Sequence, residues 1–335
     1  MKPQLKPVEE QVMVITGASS GIGLCTARLA AERGARVVLA SRGEESLARI
    51  VDQIRARGGN ARYVVCDVSD EGAVNNLARR AVEEYGRVDT WVNDAAVAVY
   101  GRLTQIPLAD ARRLLDVNFW GVVHGCNAAV PLLRDTRGAL ITVGSVLSDI
   151  SFPLQGFYVA AKHAIKGYID TLRIELAHDG VPISVSLVKP TSTDTPFPEH
   201  ARSYLGVEPK LPGPVYDPVV VAETILACAE RPVPEIYVGG TGVSFVALDR
   251  VSQRLNERLI GRTMFRAQRT DRPSREVDNL YTPATLTGAE RGNYDGHVMR
   301  SSLYTRTVLH PLRSALVAVG IGAAAGLGLR ALRRR

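Results

Sequence analysis

A phenol and an ammonium four residues apart are the first groups in this chain that could do chemistry together. Tyr158 and Lys162 stand at i and i+4, on one face of any helix that holds them. A neighbouring cation favours the phenolate, so the pair predicts a Tyr158 pKa drawn down toward the range of a usable general acid or base. Ser145 lies thirteen residues earlier, with a hydroxyl that could polarise a carbonyl oxygen, and Asn118 lies further upstream. Alone, a tyrosine and lysine at this spacing are common by chance.

A second group suits a phosphate. Residues 16–23 read TGASSGIG, so Gly17, Ser19, Ser20, Gly21, Ile22 and Gly23 form a turn between a strand and a helix. Glycines there let the backbone approach a pyrophosphate, whose charge faces the free amides of the helix N-terminus. The next strand ends at Ser41 and Arg42. A carboxylate at that place would hold the adenosine ribose of NAD and repel a 2'-phosphate, whereas the Arg42 fork suits a phosphate. NADP is therefore expected over NAD. The plainer reading, a solvated Arg42 partly neutralised by Glu44 and Glu45, stays open.

These residues need strand ends and helix starts to hold them. Seven short β-branched runs, at 12–16, 36–40, 62–66, 90–93, 139–143, 183–188 and 235–238, alternate with helical stretches near 22–33, 44–57, 70–85, 107–131, 157–178 and 218–230. Gly34, Gly58, Gly86 and Gly180 fall just past helix ends. The alternation predicts an α/β fold, a doubly wound seven-stranded parallel sheet of Rossmann type, with a mostly helical or irregular C-terminal extension. Asp67 and Val68 follow the third strand, and Asn93, Asp94, Ala95 and Ala96 the fourth. Both sit at the C-terminal edge of the sheet, where such folds bind ligands.

Taken in order, TGASSGIG at 16–23, Asn118, Ser145 and the 158–162 pair resemble the short-chain dehydrogenase/reductase family over about residues 10–240. The resemblance implies that Tyr158 exchanges a proton with a substrate carbonyl or alcohol. Lys162 would assist it and bind the nicotinamide ribose, Ser145 would hold the substrate oxygen, and Asn118 would position a relay water. It also implies cofactor contacts from Asp67, Val68, Asn93, Ala95, Pro190 and Thr195, and a homodimer or homotetramer paired through the two long helices. Two segments depart from the family pattern: NDAA at 93–96 replaces NNAG, at Asp94 and Ala96, and Thr191 replaces a glycine. The implied reaction is hydride transfer between NADP(H) and a small-molecule carbonyl or secondary alcohol. A Pro-rich loop at 191–216 would lid the pocket. Val97, Leu147, Phe152, Leu154, Phe157, Phe197 and Tyr204 lie near it in sequence and suggest an apolar substrate. A nucleotide-binding scaffold with little turnover is the alternative.

The chain has 335 residues and a formal charge of +7. Residues 1–240 carry 25 basic and 27 acidic side chains, and residues 241–335 carry 16 and 7, every basic one an arginine. A nucleic-acid partner is not expected, because the positive charge avoids the main domain. Four scattered cysteines and no histidine cluster predict neither a disulfide framework nor a metal site. The N-terminus lacks an apolar signal region, so a cytoplasmic protein is expected. Three segments follow: a catalytic domain at 8–240, an Arg-rich extension at 241–307 that begins with an amphipathic helix at 241–268 and continues as a loop or linker, and an apolar helix at 308–335. That last stretch, charge-free from Ser314 to Leu329, could meet a membrane surface, pack on protein or stay disordered.

Overall fold

The structure, a computed structural model, describes residues 3–283 and 288–309. Seven strands form one parallel sheet: β1 (Val12–Thr16), β2 (Arg36–Ser41), β3 (Asn60–Val65), β4 (Thr90–Asn93), β5 (Ala139–Val143), β6 (Ser184–Pro190) and β7 (Glu235–Val238). Their spatial order is β3, β2, β1, β4, β5, β6, β7. The order reverses at β1, which pairs with β2 on one side and β4 on the other, and a crevice opens at such a switch point.

All five β1 residues are buried, and their alternation sorts them between two cores. Met13 and Ile15 join Leu24, Leu47 and Ile225, under α1 (Gly21–Glu32), α2 (Glu44–Ala56) and α7 (Pro218–Glu230). Val14 faces the other way with Trp91, Leu114 and Ile165. On that side lie α3 (Glu71–Tyr85), α4 (Leu108–Leu115), α5 (Gly121–Thr136) and α6 (Gly156–His178). Helices on both faces explain why the strands read as near-continuous apolar runs. Past the helix ends, Gly34, Gly58, Gly86 and Gly180 all take positive φ, as expected.

The expected helix at 107–131 differs in two ways. It is broken at Asp116–Trp120 by a π-helical turn, and it runs on through Pro131 to Thr136. Proline removes one helical hydrogen bond, but burial of Leu133 and a bond from the Thr136 hydroxyl to the Val88 carbonyl (2.8 Å) hold the last turn. The expected helix at 241–268 is also two, α8 (Gly240–Val251) and α9 (Gln253–Ala267). Extended Ser252 separates them and caps α9 through the Leu255 amide.

The described residues between 270 and 300 are mostly irregular but docked. Arg269–Pro273 pairs with Val207–Pro209, Val298–Met299 pairs with Val215–Tyr216, and Leu280 is fully buried. A short helix, α10 (Leu303–Leu309), ends the described chain. The apolar stretch 314–329 lies outside the described residues, among which no helix is long and apolar enough to cross a membrane.

Candidate active site

One cleft runs along the C-terminal edge of the sheet, from Arg42 and Asp67 past the glycine-rich turn to Ser145, Tyr158 and Phe197. The turn is built from the strand ends beneath it. The Thr16 hydroxyl accepts the amides of Asp94 (3.1 Å) and Ala95 (3.3 Å), which draws the end of β4 against the end of β1. Gly17 has φ +73°, and a Cβ there would stand 2.8 Å from the Ala95 backbone. A Cβ on Gly23 would meet the Gly17 carbonyl at 2.6 Å, so only glycine allows α1 to start this close to the strand.

Ser145, Tyr158 and Lys162 converge at the other end. Tyr158 and Lys162 share one face of α6, and the ammonium lies 5.4 Å from the phenol ring centroid. Lys162 donates to the Val143 carbonyl at the end of β5 (2.8 Å), which fixes its long side chain across the cleft floor. The Ser145 hydroxyl accepts the Leu147 amide (3.1 Å) and is hydrogen-bonded to Tyr158. Ser148 completes a capping box with Ser145. Behind them, fully buried Lys189 bonds Asp149 (2.5 Å), Glu235 (2.5 Å) and the Tyr237 hydroxyl (2.9 Å), and so braces the turn that carries Ser145.

The expected lowering of the Tyr158 pKa does not occur among these groups. Burial pushes it up, the bond from Ser145 opposes, and the Asp94 carboxylate raises it further. Lys162 is pushed down to about 8 by burial, with Asp94 acting to raise it. Asp94 itself is pushed up to about 7 by burial, opposed by Lys162 and by the Gly23 amide that bonds its carboxylate. A desolvated phenol keeps its proton, which suits an acid better than a resting phenolate.

At the opposite end the C-terminal extension crosses the cleft edge. The Arg42 guanidinium lines the cleft and donates to the carbonyls of Asn279 (2.5 Å) and Leu280 (3.4 Å). Arg113 donates to the same Leu280 carbonyl (3.1 Å), to Ser69 (2.5 Å) and to Asp67 (2.5 Å). Burial would raise the Asp67 pKa, yet the Arg113 and Ser69 bonds hold it below the usual carboxylate range. Further along, Gly288 donates to the Ser19 carbonyl (2.8 Å), and the Ala289 carbonyl accepts the Gly21 amide (2.9 Å). Glu290 pairs with Arg28 (2.7 Å), and Arg291 grips Asp217 through two bonds.

Most of the expected residues meet in this cleft: Gly17, Ser19, Ser20, Gly21, Ile22, Ser41, Arg42, Asp67, Val68, Ala95, Ser145, Tyr158, Lys162, Pro190 and Thr195 all line it. Three have other duties. The Asn93 side chain accepts from the Trp91 indole (2.8 Å) and faces Cys126 and Thr142, under Gly125. Asn118 spends its amide on both backbone groups of Val97 (2.8 and 2.9 Å), inside the π turn. Gly23 serves helix packing. Thr191 bonds the Val238 carbonyl through its hydroxyl (3.0 Å). Of the apolar residues expected at the pocket, Val97, Leu147, Phe152 and Phe197 line the cleft, whereas Leu154, Phe157 and Tyr204 do not. Tyr204 instead donates to Asp110 (2.5 Å). Asn279 and Arg113 were not expected, because long-range docking carries no local sequence signal. Asp94 was visible only as a departure from a pattern.

Two polar atoms at the Arg42 end, Ser41 Oγ and Asn279 Oδ1, are buried with no hydrogen-bond partner among the described residues. Buried polar groups are ordinarily satisfied, so this end fits a ligand that brings its own donors and acceptors, such as the adenosine half of a dinucleotide.

Comparison with known proteins gives the same picture. The family model for short chain dehydrogenases matches residues 11–205. An uncharacterised oxidoreductase, YxnA, of Bacillus subtilis is 42% identical over 325 residues, covering 96% of this chain and 91% of that protein. A 3beta-hydroxysteroid dehydrogenase of Mediterraneibacter gnavus is 34% identical over 196 residues, covering 58% of this chain and 70% of that protein. Among solved structures, a short-chain dehydrogenase/reductase from Burkholderia phymatum in complex with NAD superposes with a TM-score of 0.67 at 28% identity. It covers 73% of this chain and 94% of that one. An alcohol dehydrogenase from Thermococcus sibiricus complexed with 5-hydroxy-NADP gives 0.60 at 26% identity, covering 68% and 95%.

Proposed function

The chain belongs to the short-chain dehydrogenase/reductase family, and from that premise we propose that it interconverts an apolar ketone and a secondary alcohol with NADP(H) preferred over NAD(H). The observation that carries the reading is convergence: Ser145, Tyr158 and Lys162 meet at one end of a cleft that runs past the glycine-rich turn to Arg42 and Asp67 at the other. The hydride is chemistry that a nicotinamide supplies when bound. Tyr158, held protonated by burial, gives its proton to the substrate oxygen in the reducing direction and takes it back in the oxidising one. Ser145 supports that oxygen, and the Lys162 ammonium stabilises the phenolate that remains. Phe197, 5.5 Å from the Tyr158 ring between centroids, helps to keep water from the reacting groups.

The substrate class rests on the wall around Tyr158, where Val97, Leu147, Phe152 and Phe197 present apolar surface. Similarity to a hydroxysteroid dehydrogenase points the same way. Preference for NADP rests on Arg42 in the cleft and on the lack of a carboxylate at Ser41. A screen of lipid, steroid-like and aromatic ketones with NADPH tests the proposal. Turnover is expected, and Tyr158→Phe should reduce kcat by about a thousandfold or more, the range for loss of a positioned acid, while dinucleotide affinity is retained. Tight dinucleotide binding without turnover on any carbonyl or alcohol would instead identify a nucleotide-binding scaffold.

A further inference from the structure

Asn279 belongs to the extension, 237 positions from Arg42 in sequence, yet both border the same end of the cleft. Its main chain is fixed at two points: the carbonyl takes the Arg42 guanidinium (2.5 Å), and the amide donates to the His200 carbonyl (2.9 Å). Flanking residues clamp it. Asp278 pairs with Arg202 (2.7 Å), and Leu280 is fully buried. The Asn279 side chain is thus held at the cleft wall with its Oδ1 buried and unpartnered, as is Ser41 Oγ at the end of β2. A buried polar atom with no protein partner is unfavourable until a ligand or an ordered water completes it.

We infer that Asn279 is a cofactor-binding residue contributed by the C-terminal extension, its amide oxygen accepting a hydrogen bond from the adenosine half of the dinucleotide beside Ser41 and Arg42. The inference rests on the dinucleotide reading of the cleft. It makes the extension part of the site: the outer wall at the adenosine end comes from residues beyond the doubly wound domain. It also gives Arg42 a positioning partner, since the Asn279 carbonyl aims the guanidinium along the same wall.

The experiment is calorimetric titration of the full chain and its Asn279→Ala and Asn279→Asp variants with AMP, nicotinamide mononucleotide, NAD+ and NADP+. Asn279→Ala keeps both main-chain anchors and should keep the melting temperature. It should weaken AMP and both dinucleotides by about tenfold, the size of one hydrogen bond, and leave nicotinamide mononucleotide unchanged. Asn279→Asp keeps an acceptor but adds charge, so the NADP+ to NAD+ affinity ratio should fall by about tenfold. Unchanged AMP affinity in Asn279→Ala, equal losses for AMP and the mononucleotide, or an unchanged ratio in Asn279→Asp would overturn the assignment. A wild-type chain that binds no dinucleotide would remove the parent reading and this one together. Normal wild-type binding with an indifferent Asn279 removes this one alone.

Discussion

Asp94 and Lys162 set the charge around the Tyr158 phenol. The proposed reduction needs Tyr158 protonated and the Lys162 ammonium beside it, so activity should fall as pH rises through the Lys162 value of about 8. The Asp94 carboxylate raises that value by favouring the ammonium. Replacing it with Asn removes the favourable charge, lets burial dominate and lowers the Lys162 pKa. Asp94→Asn should therefore move the alkaline limb of the kcat/KM profile for ketone reduction to lower pH, and an unmoved limb would sink this role. The i, i+4 spacing of Tyr158 and Lys162 was legible in the sequence because helical geometry alone puts both on one face. The direction of the Tyr158 shift was not legible, because desolvation depends on what the rest of the fold packs around the ring.

At the scale of elements, the strand ends carry the site and buried bonds hold them in register. The Ser145 turn is the clearest case. Lys189, on β6, reaches Asp149 just beyond that turn and Glu235 on β7, so three elements share one buried ammonium. Lys189→Met leaves Asp149 with only the Tyr237 hydroxyl (3.1 Å) and Glu235 with only the more distant Lys166 ammonium (3.8 Å), and should cost about 3 kcal/mol of unfolding free energy by chemical denaturation, as for other broken buried pairs. A loss within about 0.5 kcal/mol, typical of a surface change, would show that the cluster does not brace the turn. All seven strands and the six main helical stretches were legible from hydrophobic period and glycine punctuation. The π turn at 116–120 was not. It joins stretches that each read as helix, and what distinguishes it is the tertiary use of Asn118 on the Val97 backbone.

For the whole molecule, the surface that remains apolar is as informative as the core. Leu108 on α4, Trp120 at the end of the π turn and Ile174 on α6 are all exposed, and the π turn packs on α6 through Phe119 and Tyr168. We propose that two copies pair through α4, the π turn and α6, the elements that carry these exposed apolar groups. Trp120→Glu should shift the sedimentation profile from an oligomer toward the monomer at equal protein concentration. A wild-type chain that already sediments as a monomer would refute the pairing.

The sequence by itself determined the sheet, the glycine-rich turn and the order of the reacting groups, because each is written in short-range spacing that local backbone geometry translates directly. It also assigned the positive charge to the extension rather than to the catalytic body. Only the tertiary structure decided that residues 278–283 and 288–293 lie along the cleft. There Asn279 and Leu280 meet Arg42, and Ala289 meets Gly21. Those contacts join segments more than 200 residues apart through main-chain carbonyls, and a carbonyl is common to every residue, so no pattern of side chains announces it.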